Sequence, residues 1–323
     1  IGPYEHHSNE LPWRESIADV VIIDEDVDGH VSLEHLEREL VRHADRSTLI
    51  GSFSAASNVT GIITDTVAVA TLLHQHGALS LWDYAAAAPY VPIDMGSSAD
   101  GNLAYKDAVF ISPHKLIGGP ETPGVLVARR ELFTNRVPDV PGGGTVRYVS
   151  TNEHDYHPEI EHREEAGTPA IIESIRAGLV FQLKEAVGPD VIEARESAFV
   201  RRAFTSWEQN PAINVLGSHE ADRLSIVSFV IRHDDRYLHH NYVVALLNDV
   251  FGIQSRGGCS CAGPYGHRLL GIDLDRSHEF QREINRGCEG IKPGWVRVNF
   301  NYFIDEATFD YIVEAVHMIA SHG

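Results

Sequence analysis

Ser112-Pro113-His114-Lys115 follows a β-branched apolar run, Val109-Phe110-Ile111, and stands just before Gly118-Gly119. A lysine at the carboxyl end of an inner strand lies where ligands bind in an open α/β sheet. Partly withdrawn from water, its amine can lose a proton and attack a carbonyl carbon. Asp83 closes a second strand-like run, Leu81-Trp82-Asp83, and the chain continues through Tyr84 into Ala85-Ala86-Ala87-Ala88. Small side chains leave room for a flat ring, and a carboxylate beside a pyridine-type nitrogen keeps it protonated, so that the ring draws electrons. Each residue also has a plainer reading: a surface lysine in a loop, and an aspartate capping a helix N-terminus.

These residues need elements to hold them. Residues 20–23 form a short β-branched run, and Ser32 caps a helix with Leu33, Leu36 and Leu40 on one face. Strands are expected at 48–53, 78–82, 108–111 and 125–128, and a helix over 64–76 that stops at Gly77. Apolar strands alternating with helices imply a parallel sheet covered on both faces. Thr168-Pro169 opens a long helix that Gly188-Pro189 stops, and a second helix runs to Asn210-Pro211. The remainder reads as a strand at 225–231, a helix at 238–250, a glycine-rich segment at 257–266, a strand at 295–300 and a closing helix at 306–320. His239-His240 fits the capped start of a helix. The division expected is a large domain over residues 1–200 and a small α/β domain over 201–323, parted within the second long helix.

Composition bounds the partners. The chain has 323 residues with 26 basic and 46 acidic side chains, a net charge of −20. So acidic a surface repels phosphate backbones and excludes nucleic acid as a partner. No apolar run approaches the ~20 residues of a membrane-spanning helix, so no membrane partner is expected. Three cysteines, Cys259, Cys261 and Cys288, do not make a disulfide framework, which points to the reducing cytoplasm. The sequence begins at Ile1 rather than Met, with neither a charged nor an apolar leader, and reads as opening inside a domain. An N-terminal portion is expected to be missing.

In the order and spacing of its motifs, the chain resembles the class V aminotransferase superfamily of pyridoxal-phosphate enzymes, nearest its cysteine desulfurase and selenocysteine lyase branch. Glu5-His6-His7-Ser8-Asn9 followed by Pro12-Trp13 is similar to the segment whose first histidine, here His6, stacks on the cofactor ring. Ser57-Asn58-Val59-Thr60-Gly61 resembles the loop that approaches the cofactor's phenolic oxygen and the substrate. By the same resemblance Asp83 is the pyridine-nitrogen partner, Ser112 contacts the phosphate, His114 supports it, and Lys115 is the Schiff-base lysine. Thr168, in Glu165-Ala166-Gly167-Thr168-Pro169, falls on the threonine that reaches the phosphate of the other subunit; Arg297 falls on the arginine that grips the substrate carboxylate. The loop from Arg256 to Cys261 resembles the one that ends in the sulfur-accepting cysteine. The resemblance therefore implies a type I pyridoxal-phosphate fold, with a large parallel or mixed-sheet cofactor domain and a smaller C-terminal α/β domain. It also implies a homodimer sharing its active sites, a small amino-acid substrate and a sulfur-acceptor protein. Two departures stand out. Ala86 lies where desulfurases carry a glutamine, and the phosphate-cradling turn expected upstream of His6 is not in this sequence, which predicts poor cofactor affinity.

The cysteine loop, Gln254 to Pro264, decides the reaction class. As a thiolate, Cys261 would attack the sulfur of a bound cysteine and become a persulfide, with Arg256 and His267 favouring the thiolate. Two other readings stay open. Cys259, Cys261, His267 and Cys288 could form a soft metal site, although the Cys-x-Cys spacing is short for one; alternatively both loop thiols are small buried apolar groups. In a transaminase or epimerase Cys261 would be a bystander, and a catalytically silent assembly subunit would need none of these residues. Pro141-Gly142-Gly143-Gly144 lacks a phosphate-loop pattern and is expected to be a subunit-contact loop.

Overall fold

The computed structural model describes residues 1–323. The first half of the chain contains α1 (His7–Arg14), α2 (Leu33–Arg42), β1 (Ile50–Ser54), α3 (Thr66–Gln75), β2 (Leu79–Asp83), β3 (Ala108–Ile111) and β4 (Val125–Ala128). The caps follow from sequence: Ser32 Oγ accepts from His35 N at 3.2 Å, and Asp65 Oδ1 accepts from Val67 N and Ala68 N at 3.1 and 2.9 Å. Leu36 and Leu40 turn inward from α2. The four strands make one sheet in the order β1-β2-β3-β4.

That sheet is mixed rather than wholly parallel. β1 pairs parallel with β2, and β2 with β3, whereas β4 returns antiparallel along β3. The connection from β3 to β4 carries only a single 3₁₀ turn at Pro113–Lys115, not the crossover helix a parallel return needs. Residues 20–23 are extended but pair with no sheet strand. Ile1 takes their backbone bonds instead: its amino group donates to Val21 O and its carbonyl accepts from Ile23 N, each at 2.9 Å. Gly51, Phe53 and the side chains of α2 and α3 wall an apolar cavity beside the free edge of β1.

The chain continues through the hairpin β5 (Val146–Val149) and β6 (His154–Tyr156), α4 (Ile160–Arg163), α5 (Ile171–Val187) and α6 (Pro189–Trp207). Gly188-Pro189 stops α5 as expected, and Pro189 also opens α6 as its first residue. Then come β7 (Ile213–Val215), β8 (Ile226–His233), β9 (Arg236–Tyr237), α7 (His240–Phe251), β10 (Arg256–Gly258), α8 (Gly263–Leu269), α9 (Leu274–Asn285), β11 (Trp295–Asn299) and α10 (Glu306–His322). β10-β11-β8-β7 form an antiparallel sheet with β9 beside β8. His239 caps α7, its Nδ1 accepting from Asn241 N at 3.2 Å.

Two apolar cores result. One joins Phe53, Trp82 and Val109 of the mixed sheet to Leu224, Tyr265 and Trp295. The other joins Phe199 and Trp207 of α6 to Phe229, Phe300 and Phe309. The mixed sheet thus packs against residues from the second half of the chain, and Arg297 and Ser260 from that half contact Asn58 at the cleft described next.

Candidate active site

Lys115 ends the 3₁₀ turn after β3. Its N–H donates to Ser112 O at 3.0 Å, and Leu116 N donates to Pro113 O at 3.0 Å. Gly119 lets the chain fold back tightly, because a Cβ there would lie 2.0 Å from Pro113 O. The Lys115 side chain lines the open cleft and is exposed to it, while its amine still loses part of its water shell to the surrounding protein. That burial lowers its pKa below the ordinary lysine value; Asp83 and Cys261 pull it up, while Arg297 and Arg256 push it further down. The amine therefore gives up its proton more readily than an ordinary lysine does.

Asp83 lies at the last position of β2, in register with Ser54 and Phe110. Its Oδ1 accepts from Ala85 N at 2.7 Å, a turn rather than a helix cap, since no helix follows. His6 caps α1, with Nδ1 accepting from Ser8 N at 3.1 Å. Half-burial lowers its pKa first, and the charge of Lys115 adds to this.

Sequence reasoning missed the support beneath His6. The buried Glu5 carboxylate accepts from Asn9 Nδ2, Ser54 Oγ and Ser54 N at 2.6, 2.7 and 2.9 Å, and Asn9 Oδ1 accepts from Ser52 Oγ at 2.6 Å. The start of α1 is thereby pinned to β1. Its only sequence signal was its place beside His6.

His6, Asn58, Asp83, Ser112, His114 and Lys115 line one cavity of about 720 Å³, within the range of small-molecule sites. Ala85 and Ala86 line it too. Arg297, half-buried on β11, reaches the same region: its Nη1 donates to Asn58 O at 2.9 Å, whereas its Nε and Asn58 Oδ1 are buried with no partner. The cysteine loop is tied to the same asparagine, Asn58 Nδ2 donating to Ser260 O at 2.7 Å. Cys261 is half-exposed, with Arg256 Nη2 4.0 Å from its Sγ.

The other expectations fall elsewhere. No side-chain hydrogen bond joins His267 to Cys261; burial lowers its pKa. Cys288 is exposed, and no three His, Cys, Asp or Glu residues are placed to hold a metal. Thr168 is exposed and outside the cavity, following Gly167, whose N–H donates to Gly143 O at 2.6 Å. The Gly142–Gly144 turn thus packs on the threonine segment within one chain.

The fit to pyridoxal phosphate rests on this geometry. An acid ends one strand, an amine leaves the next, small residues stand between, and two buried polar atoms wait for partners. Ser112 and His114 are the polar groups on the side of the cavity nearest the lysine turn.

Comparison with known proteins agrees. A "Probable cysteine desulfurase" of Halalkalibacterium halodurans is 29% identical over 268 residues, which cover 82% of this chain and 61% of that protein. A "Cysteine desulfurase" of Escherichia fergusonii is 31% identical over 268 residues, 82% of this chain and 62% of the relative. The chain thus spans about three fifths of the length of these relatives. The apo structure of a cysteine desulfurase from Thermococcus onnurineus NA1 superposes with a TM-score of 0.79 at 25% identity, covering 99% of this chain and 72% of that one. Residues 1–283 match the description Aminotransferase class-V, and with the mixed sheet, the lysine turn and the strand-end aspartate in place, the chain belongs to that family.

Proposed function

We propose that this chain carries the catalytic site of a pyridoxal-phosphate enzyme that removes sulfur from a small amino acid, of cysteine desulfurase or selenocysteine lyase type. The observation that carries the reading is the convergence of Lys115, Asp83, His6 and Asn58 on one cavity, with Asn58 also holding Ser260, the residue beside Cys261. Bound pyridoxal phosphate supplies a ring that accepts electrons from a substrate carbanion. Asp83 would keep the ring nitrogen protonated and His6 would contact the ring. Ser112 and His114 would hold its phosphate side, and Lys115 would anchor it and move the substrate α-proton at Nζ. Arg297 and Asn58 take the substrate carboxylate and orient it. The Cys261 thiolate, steadied by Arg256, forms a bond to the substrate sulfur; the carbon–sulfur bond breaks and its electron pair stays with the carbon fragment. A sulfur-acceptor protein then clears the persulfide.

Thr168 belongs to this site through a second copy of the chain. It lies three residues before α5, whose Ile171, Ile172, Ile175, Leu179 and Leu183 are 44–64% exposed. An apolar stripe this continuous needs a cover, and a two-fold dimer over it would carry Thr168 toward the neighbouring cavity. The two domains, residues 1–200 and 201–323, meet within α6 in this reading, and the compartment is the cytoplasm.

The test is Lys115→Ala. It should abolish sulfide release from cysteine and the visible absorbance of bound cofactor while the fold survives; an active variant would overturn the assignment. A transaminase or epimerase reading is favoured by Ala86, which lines the cavity where desulfurases carry glutamine. Production of a keto acid or the D-amino acid without sulfide would select it.

A further inference from the structure

His7 has no part in the reading above, yet it holds the cysteine loop twice. Its backbone N–H donates to Cys261 O at 2.9 Å. Its ring Nε2 accepts from Gly263 N at 3.1 Å, which places the proton of the neutral ring on Nδ1. Between these two bonds lies the start of α8, and Ala262 is fully buried. Asn58 adds the third tie, at Ser260 O.

The loop needs these ties. Ser260 and Cys261 are consecutive non-glycine residues at φ +54° and +56°, a left-handed backbone that such side chains adopt at a cost. Two adjacent residues in that region persist only where surrounding contacts hold them. Here the contacts come from the other side of the cleft: α1, which also carries His6, and the Asn58 loop.

We propose that His7 is the positioning residue of the cysteine loop, its ring and backbone together fixing Cys261 in its strained conformation at the cleft. This deepens the sulfur-transfer reading and rests on it for its functional meaning, although the seating of the loop can be measured without turnover. One short segment, His6-His7, would then set the cofactor face with its first ring and the nucleophile with its second.

The test compares His7→Phe, which keeps a flat ring without an acceptor, with His7→Gln, whose amide oxygen can still take the Gly263 N–H. Iodoacetamide labelling of the cofactor-supplemented chain, mapped by mass spectrometry, should label Cys261 about fivefold faster in His7→Phe. The exposed Cys288, outside the loop, serves as the internal reference and His7→Gln restores the parent rate. Amide hydrogen exchange over residues 259–264 should rise in parallel. With cysteine as substrate, His7→Phe should lose about tenfold in kcat with little change in KM, while elimination from β-chloroalanine, which needs Lys115 and no thiol, continues at the parent rate. Should His7→Phe fail to fold, His7→Asn, too short to reach Gly263, takes its place. Parent-like labelling and exchange in the acceptor-less variant overturn the proposal. A parent chain that makes no sulfide, but whose labelling follows the His7 series, overturns the desulfurase reading and leaves the clamp standing.

Discussion

Glu196 is the most telling group to perturb outside the cleft. It is 3% exposed on α6, with Oε1 accepting from Tyr302 N at 3.0 Å, and it shares a small cavity of about 40 Å³ with Tyr90, Lys115 and Lys184. Burial pushes its pKa up to about 8, against the pull of the Tyr302 N–H. The folded protein therefore keeps a proton that the unfolded chain releases near pH 4.5. Stability from this group is complete below that pH and is lost as pH rises toward 8, at about 1.4 kcal/mol per pH unit. The whole interval would amount to about 5 kcal/mol, but the cavity can admit a water to the carboxylate. We expect about half, roughly 2–3 kcal/mol. Glu196→Gln keeps the shape and cannot ionise, so it should abolish this slope. Urea unfolding at pH 5, 6 and 7.5, followed by the fluorescence of the buried tryptophans, Trp207 of α6 among them, measures it. Lys184, with a pKa lowered by burial to about 8, stays charged in both states over most of that range and contributes in the opposite sense only above it. Equal pH slopes for parent and Glu196→Gln would refute the reasoning.

Other outcomes follow from single contacts. Cys261→Ala should abolish sulfide production and leave cofactor absorbance intact, whereas Cys259→Ala, an exposed neighbour, keeps most activity; a Cys261→Ala protein as fast as the parent ends the nucleophile assignment. Replacing Ile175 and Leu179 with glutamate should drive the chain to a monomer in sedimentation velocity and remove the activity that depends on a second Thr168; an unchanged dimer means another face is covered. Gly266→Ala would set a Cβ 2.4 Å from the buried Trp295 ring and should lower stability by about 1–3 kcal/mol, read by thermal unfolding.

Much of the frame was legible because its causes are local. Apolar runs ending in Asp83 and before Ser112 gave β2 and β3, and capping residues gave α2, α3 and α7. Residues 20–23 misled for the same reason: a β-branched run favours an extended backbone, but which strand it joins is a tertiary matter. α9 went unread because only Leu274, Phe280 and Ile284 of its twelve residues are apolar and none is fully buried. The direction of β4 followed from what its connection lacks. The Arg297 and Ser260 contacts with Asn58 span 239 and 202 residues of sequence, beyond the reach of any periodicity. Family likeness suggested residue roles there; it did not supply those bonds.

Asn58 shows how the two halves of the site are made to depend on each other. Its carbonyl occupies one arm of Arg297, its amide nitrogen holds the backbone beside Cys261, and its Oδ1 is buried without a partner. Arg297 Nε is likewise unpaired. A buried group without a partner costs about 1–3 kcal/mol. A ligand bringing an acceptor to Nε and a donor to Oδ1 recovers that cost, whereas one that fills the cavity with carbon alone does not. Under the proposed function, these two groups would favour a molecule bearing both a carboxylate and a donor. Because Asn58 also holds Ser260, a substrate bound there as proposed would meet the loop that carries Cys261 already in place.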